Sequence, residues 1–190
     1  MIKVKVPATS ANLGPGFDTL GLALNLYNTY YFEETTEGLE ITGCHESYNN
    51  ESNLVYSSFM KTLDIVGYSL KGGLKIHIES NIPLSRGLGS SASCIVGGIK
   101  GANILAGSPL SDDEIIEWAT SIEGHPDNIA PAVLGGLVTS IMEDGKVLHN
   151  KIKVVYGLKF LALIPDFTLS QLPGKLSRNQ TKKSWTLILS

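Results

Sequence analysis

The chain has 190 residues, of which 43% are hydrophobic and 17% charged, and this composition predicts one sizeable domain with a buried core rather than a disordered chain. Its formal net charge of −3 gives no electrostatic basis for binding nucleic acid or an anionic membrane. Two cysteines without metal-ligand spacing, together with the lack of a leader or a long apolar run, predict a cytoplasmic protein with two buried thiols.

The first half of the chain is predicted to contain four strands and one helix. Apolar patterning predicts strands over residues 2–6, 20–34, 39–43 and 74–79. We expect Pro7 to end the first strand, and small residues predict a loop over residues 8–18. Apolar residues at helical spacing predict a helix over residues 53–67, with Ser52 as its candidate N-cap.

The second half is predicted to alternate helices with strands. A helix is predicted over residues 90–106, where Gly97, Gly98 and Gly101 indicate close packing against a neighbouring element, because glycine otherwise weakens a helix. The sequence from Ser111 has the form of a capping box and opens a helix that ends near residue 122. Strands are predicted over residues 135–143, 147–155 and 158–164. We therefore expect an α+β fold, mostly antiparallel, with the helices on one face.

The first motif is PLSRGLGSSAS, residues 83–93, which lies between a predicted strand and a predicted helix. Its glycines let backbone N–H groups approach an anion, and the following helix contributes its positive N-terminal end. The Gly-Lys-Ser/Thr ending of a P-loop is absent. Glycine and serine also favour ordinary turns and caps. The stretch is thus a candidate phosphate-binding loop, with a structural turn as the alternative.

The second motif is PATSANLGPGFD, residues 7–18. Its Asn12 and Asp18 could bind a zwitterionic molecule, with the carboxylate facing an ammonium group and the amide facing a hydroxyl or carboxylate. The alternative is a Gly-Pro-Gly turn in which the asparagine bonds to its own backbone. Composition does not decide between the two.

The third motif is EGHPDNIAP, residues 123–131. Gly124 and Pro126 are expected to end the preceding helix and to leave Asp127 and Asn128 in the following loop. The earlier Glu117 could face the same cleft if that loop folds back. The alternative is that these acids are solvated charges and turn caps.

Together these three stretches resemble the GHMP superfamily of small-molecule kinases, and PATSANLGPGFD resembles its homoserine kinase branch. The resemblance implies a GHMP kinase N-terminal, ATP-binding domain over residues 1–165. It also implies ATP-dependent phosphorylation of the side-chain hydroxyl of L-homoserine, giving O-phospho-L-homoserine for threonine biosynthesis. The alternatives are a catalytically impaired nucleotide-binding fragment or a GHMP kinase acting on a different small alcohol.

The resemblance also implies roles for matching residues. ATP would contact Pro83, Leu84, Ser85, Arg86, Gly87, Leu88, Gly89, Ser90 and Ser91, with Asn53 near the adenine. The amino-acid substrate would contact Asn12, Asp18, Asp127 and Asn128. By the same resemblance, Ser91 and Glu117 would hold Mg²⁺. Asp127 and Asn128 are the candidate catalytic residues, acting first by orientation, and a general-base role for Asp127 stays open.

Residues 166–190 depart from the resemblance. This basic tail lacks the arginine expected shortly before Leu172 and Pro173 to bind the substrate carboxylate, and a glycine-rich loop that closes over the phosphates is not found. We therefore expect the second domain to be largely missing, through a frameshift or a truncated isoform. Apolar surface exposed in this way predicts association, for example as a homodimer.

Overall fold

A six-stranded mixed sheet forms the centre of the computed structural model, which describes residues 1–155, 157, 160–161 and 188–189. Its strands are β1 (Ile2–Leu13), β2 (Gly16–Thr35), β3 (Leu39–Thr42), β4 (Gly73–Glu79), β5 (Leu137–Glu143) and β6 (Lys146–Ile152). The strand order is β3-β4-β2-β5-β6, and β1 pairs with β2. The β3–β4 pair is parallel and the others are antiparallel, which confirms the predicted mostly antiparallel arrangement.

The helices are α1 (Leu54–Val66), α2 (Ser90–Leu105), α3 (Asp112–Glu123) and α4 (Pro126–Leu134). Helices α2 and α4 pack on β1 and β2, while α1 packs on α2 and α3 packs on both α2 and α4. Val138 of β5 is buried in this core, whereas its neighbour Ile141, on the opposite face of the strand, is 47% exposed. The α+β class with helices against one sheet is therefore as predicted.

The glycines of α2 lie against aromatic rings and a neighbouring backbone. A Cβ at Gly97 would lie 2.5 Å from the ring of Tyr30, and a Cβ at Gly101 would clash in the same way with the ring of Phe32. A Cβ at Gly98 would clash with the carbonyl oxygen of Val55 on α1. The close packing predicted from these glycines is confirmed, and it brings α2 directly onto β2.

The N-terminal strand is longer than predicted. Pro7 does not end it: β1 continues to Leu13, with Pro7 opposite Tyr27 and a shift of register before Thr9. A proline lacks the N–H that a ladder needs, and an edge strand with a bulge tolerates that loss. Among the described strands β1 pairs only with β2, which makes it an edge strand. Most of the loop predicted over residues 8–18 is strand, because β1 ends at Leu13 and β2 begins at Gly16.

Two helix starts also differ in detail from the prediction. The N-cap of α1 is Asn53 rather than Ser52, because the Asn53 side-chain oxygen accepts the N–H of Val55 at 2.9 Å. Pro126 does not simply end α3; it opens α4 at a first-turn position, where a missing N–H has no consequence.

The last elements are short. The strand predicted to run to residue 155 ends at Ile152. The next described strands, β7 (Phe160–Leu161) and β8 (Ile188–Leu189), pair with each other. The rest of the predicted 158–164 strand and most of the basic tail lie outside the described residues, and the 1–165 domain boundary stays a prediction. Cys44 and Cys94 are free and half-buried rather than fully buried. Across the described part of the chain, no helix has the length and apolarity needed to cross a membrane.

Candidate functional site

The loop between β4 and α2 has an unusual backbone. Ser85, Gly87 and Gly89 adopt left-handed conformations, with φ of 55°, 69° and 63°. Left-handed residues interspersed with ordinary ones can turn successive N–H groups to the same side, which is the geometry of an anion-binding nest. Leu88 is buried with Ala8 and fixes the end of the loop on the sheet. Arg86 is half-buried in the same loop.

The N-terminus of α2 follows this loop directly. Its N-cap is Gly89, which has no side chain to satisfy the first helical N–H groups, and its first turn carries no acidic residue. These donors and the positive end of the helix dipole therefore suit an external anion. A Cβ at Gly89 would clash with the hydroxyl of Thr9 and lie 3.1 Å from Oδ1 of Asn128, so this position requires glycine.

Thr9 connects the three sequence motifs. Its backbone N–H donates to the carbonyl oxygen of Leu88 at 3.1 Å, and its Oγ1 donates to Oδ1 of Asn128 at 2.8 Å. Thr9 is completely buried. Because the amide oxygen of Asn128 accepts this bond, Thr9 ties the orientation of the Asn128 side chain to the loop between β4 and α2. Sequence reasoning did not single out Thr9, which stands among other small residues.

Asp127 lies in the first turn of α4, next to Asn128, and not in a loop as predicted. Its side chain is 5% exposed, and its Oδ1 accepts the N–H of Asn128 at 2.8 Å. Burial raises the pKa of Asp127, while the Asn128 hydrogen bond and the nearby His125 oppose that rise. A Cβ at Gly21 would clash with the carbonyl oxygen of Asp127. Gly21, also missed from sequence, thus allows α4 to contact β2.

Glu123, rather than Glu117, lies against Ser91. The Ser91 hydroxyl donates to Oε2 of Glu123 at 2.7 Å. Glu117 is exposed on the same helix, six residues earlier and so about 120° around the helix axis. The structure thus places Glu123 against Ser91, and the role expected for Glu117 in holding Mg²⁺ stays a prediction. Burial raises the pKa of Glu123, the Ser91 hydrogen bond lowers it, and the charge of Asp127 raises it.

The PATSANLGPGFD motif places its two polar residues at the rim of this region. Asn12 and Asp18 are exposed and left-handed, with φ of 58° and 56°. The side-chain oxygen of Asn12 accepts the backbone N–H of Asp18 at 2.8 Å, which is the backbone-bonding alternative that the sequence left open. The charge of Asp18 nevertheless raises the pKa of Asp127.

Asn53 has a structural task in this fold. Besides capping α1, its amide nitrogen donates to the carbonyl oxygen of Tyr48 at 2.9 Å, and the side chain is buried. These bonds hold the turn that precedes α1. A contact between Asn53 and adenine stays a prediction.

The oxygen atoms of Ser91 and Glu123 fit a divalent cation. Mg²⁺ prefers oxygen ligands and is commonly held by one or two carboxylates together with substrate phosphates. Burial and the charge of Asp127 both disfavour the ionised form of Glu123, and a cation at this point would reverse that effect. Within the described residues no cluster of three or more His, Cys, Asp or Glu could bind a metal, so phosphate oxygens would have to complete the ligand set.

Known proteins similar to this chain include homoserine kinases. The family model for the GHMP kinases N terminal domain matches residues 53–136. The homoserine kinase of Clostridium botulinum (strain ATCC 19397 / Type A) is 55% identical over 170 residues, which are 90% of this chain and 57% of the relative. The homoserine kinase of Clostridium beijerinckii is 52% identical with the same coverage. The chain therefore spans somewhat more than half the length of these curated relatives.

Solved structures show the same fold. A putative homoserine kinase from Listeria monocytogenes is 36% identical, with a TM-score of 0.77 over 95% of this chain and 64% of that one. The mevalonate kinase of Methanococcus jannaschii, at 24% identity and a TM-score of 0.63, covers 80% of this chain and 56% of that one and shares the fold. The model for the GHMP kinases N terminal domain thus matches residues 53–136, and most of this chain is similar to a part of the homoserine kinases.

Proposed function

We propose that the protein catalyses the ATP-dependent phosphorylation of the side-chain hydroxyl of L-homoserine. The observation that carries this proposal is the Thr9 contact, which joins a glycine-rich loop of anion-binding type to Asn128 and the buried carboxylate of Asp127. Phosphoryl transfer needs this juxtaposition of a phosphate site and a polar acceptor site. The homology to homoserine kinases supports the choice of substrate.

The nucleotide phosphates would lie on the amide groups of residues 87–91 and on the N-terminus of α2. One helix terminus contributes only about 0.3–1 kcal/mol toward an anion, so several aligned N–H groups have to act together. The left-handed residues of the loop supply that alignment. The remaining loop residues from Pro83 onward and Asn53 would contact the rest of the nucleotide.

In this proposal Ser91 and Glu123 hold Mg²⁺, and Glu117 does not. The cation would neutralise charge on the ATP phosphates as the phosphoryl group leaves. The chain's own contribution is to hold a hydroxyl and a carboxylate oxygen 2.7 Å apart at the start of α2.

The acceptor would be oriented by Asp127 and Asn128, with Asp18 and Asn12 at the rim. Its hydroxyl oxygen forms the new bond to the γ-phosphorus while the bond to the β–γ bridging oxygen breaks, so ADP leaves and O-phospho-L-homoserine forms. The hydroxyl proton passes to Asp127 or to solvent. A loose transition state requires little prior deprotonation, so orientation is the main role of Asp127, and its raised pKa makes it a better proton acceptor.

The test is phosphorylation of L-homoserine by the 190-residue chain, followed by ³¹P NMR. Glu123→Gln should reduce turnover by about a hundredfold or more, because the metal-binding carboxylate is lost. The matched control Glu117→Gln removes the same charge from an exposed position of the same helix and should leave turnover unchanged. Equal loss in both variants, or loss only in Glu117→Gln, would contradict the assignment.

Nucleotide binding without turnover is the second candidate. Binding of Mg-ATP with no phosphorylation of L-homoserine would favour it. Turnover of a different small alcohol in preference to L-homoserine would favour another GHMP specificity.

Self-association and a cytoplasmic location belong to the same proposal. Ile141 and Leu148 face each other across β5 and β6 and are 47% and 49% exposed, which supports association through this side of the sheet. A monodisperse monomer in light scattering would contradict a homodimer.

A further inference from the structure

We propose that Asn28 and Tyr30 on β2 are positioning residues that hold both ends of the phosphate loop in place. The proposal rests on the nucleotide-binding role proposed above for that loop. Neither residue belongs to the three sequence motifs or to the residues expected to contact a ligand. They act through the residues that enter and leave the loop.

Asn28 fixes the entry to the loop. Its side-chain oxygen accepts the backbone N–H groups of Asn81 and Ile82 at 2.8 and 2.9 Å. These two residues come directly before Pro83, where the loop begins. The Asn28 side chain is 2% exposed, so water cannot readily replace the bonds if the side chain is removed.

Tyr30 connects the same asparagine to the exit from the loop. Asn28 Nδ2 donates to the Tyr30 hydroxyl at 3.1 Å, and that hydroxyl shares a hydrogen bond of 2.9 Å with Ser93 Oγ. Ser93 lies in α2, and its own N–H donates to the carbonyl oxygen of Gly89 at 2.9 Å. Burial strongly raises the pKa of Tyr30, so its hydroxyl keeps its proton and can serve this network.

The network therefore spans the loop from one end to the other. Residues 83–89 lie between Ile82, held by Asn28, and the first turns of α2, held by Tyr30 through Ser93. The ring of Tyr30 is itself fixed under Gly97. A loop with both ends fixed loses less entropy when it binds an anion, which is the advantage of preorganisation.

A buried asparagine could also serve the fold alone, and the chain contains a matched control for that. Asn103, near the other end of α2, is 5% exposed and makes the same kind of double contact. It accepts the N–H of Leu110 at 2.9 Å and donates to the Leu110 carbonyl oxygen at 3.0 Å. It thus braces the connection between α2 and α3, at the other end of the helix from the phosphate loop.

The experiment compares Asn28→Ala with Asn103→Ala in the 190-residue chain. Each variant is measured by thermal unfolding, by calorimetric titration with Mg-ATP, and by amide hydrogen exchange. We expect both variants to unfold at lower temperature. We expect only Asn28→Ala to raise the Kd for Mg-ATP about tenfold and to speed exchange at residues 81–89, because a buried hydrogen-bonding group is lost at that loop.

Tyr30→Phe is the second variant, because it keeps the ring against Gly97 and removes only the hydroxyl. It should raise the Kd by a smaller factor and speed exchange around Ser93, and it decides the question if Asn28→Ala does not fold. The proposal is overturned if Asn28→Ala has the Kd and the exchange rates of wild type. If Asn28→Ala does not fold, the same result in Tyr30→Phe overturns it. An equal rise of Kd in Asn103→Ala would also overturn it. If wild type does not bind Mg-ATP, the proposed function fails, while the exchange data still test the bracing.

Discussion

The N-termini of α2 and α3 differ in whether nearby side chains satisfy the first backbone N–H groups of the helix. At α3, Ser111 Oγ accepts the N–H of Glu114 at 3.3 Å, and the Glu114 carboxylate accepts the N–H of Ser111 at 2.8 Å. Hydrogen bonds from Ser111 lower the pKa of Glu114. At α2 the cap is Gly89, which offers no side chain, and no acid lies in the first turn.

This difference teaches where a ligand can bind. The end of α3 is already satisfied by its own hydroxyl and by three acidic residues in its first turn, so an anion would gain little there and would be repelled. The end of α2 has donors without such partners and follows a loop of left-handed residues. One terminus is capped by its own side chains, and the other is the proposed binding site of an external anion.

The largest effect should come from giving α2 the kind of acid that α3 has. Ser90→Asp would place a carboxylate in the first turn of α2, where it stabilises the helix and repels phosphate. We expect the Kd for Mg-ATP to rise about a hundredfold or more, since two like charges at close range interact by several kcal/mol near a protein surface. Calorimetric titration measures it. Ser69→Asp, at an exposed loop position, adds the same charge as a control, and a similar loss there would contradict the local effect.

A smaller effect should follow from uncoupling the α2 terminus from α4. Thr9→Val keeps the shape of the side chain and removes the hydroxyl that donates to Asn128. We expect kcat for homoserine phosphorylation to fall about tenfold, because the Asn128 amide loses a buried partner. Thr9→Ser keeps a hydroxyl and should recover most of the activity. If Val and Ser variants behave alike, the hydroxyl has no such role.

The first turn of α4 gives a prediction on pH. The pKa of Asp127 is raised by burial, so the folded state favours its protonated form relative to an unfolded chain with a pKa of about 3.9. The stability that Asp127 contributes is therefore lost as pH rises from that value through the raised pKa. Asp127→Asn should unfold at increasingly higher temperature than wild type over this window, while losing turnover. The exposed turn variant Asp144→Asn serves as the control, and a constant difference across pH for Asp127→Asn would argue against the burial effect.

The smallest effect should come from removing the cap of α3. Ser111→Ala should lower the free energy of unfolding by about 1 kcal/mol, the usual value of an N-cap hydroxyl. Urea denaturation measures this change. The Kd for Mg-ATP should stay as in wild type, and a clear rise would mean that the two termini are not independent.

Sequence patterns predicted the parts of this fold that depend on local signals. Period-two alternation located β4, the capping box located the start of α3, and the glycines of α2 correctly indicated close packing. The predictions that β1 ends at Pro7 and that a loop follows Pro126 failed for one reason. A proline interrupts an element only where its missing N–H would have made a hydrogen bond. An edge strand and a first helical turn do not require it.

The candidate site was predictable only in part. The motif around residues 83–93 identified the loop and the N-terminus of α2, because glycine and serine spacing is visible in sequence. The resemblance implied Glu117 beside Ser91, whereas the contact of Ser91 with Glu123 depends on which side of α3 faces α2 and is visible only in the structure. Thr9 and Asn28 act through contacts between residues far apart in the chain, which no local pattern encodes.

Amide hydrogen exchange with and without Mg-ATP tests the central claim most directly, because it reads both helix termini in one measurement. If the N-terminus of α2 binds the phosphates, exchange at residues 87–92 slows when Mg-ATP is added. Exchange at residues 112–115, in the capped first turn of α3, stays unchanged. Protection at the α3 terminus, or protection elsewhere with none at residues 87–92, would contradict the claim that α2 begins at an anion site.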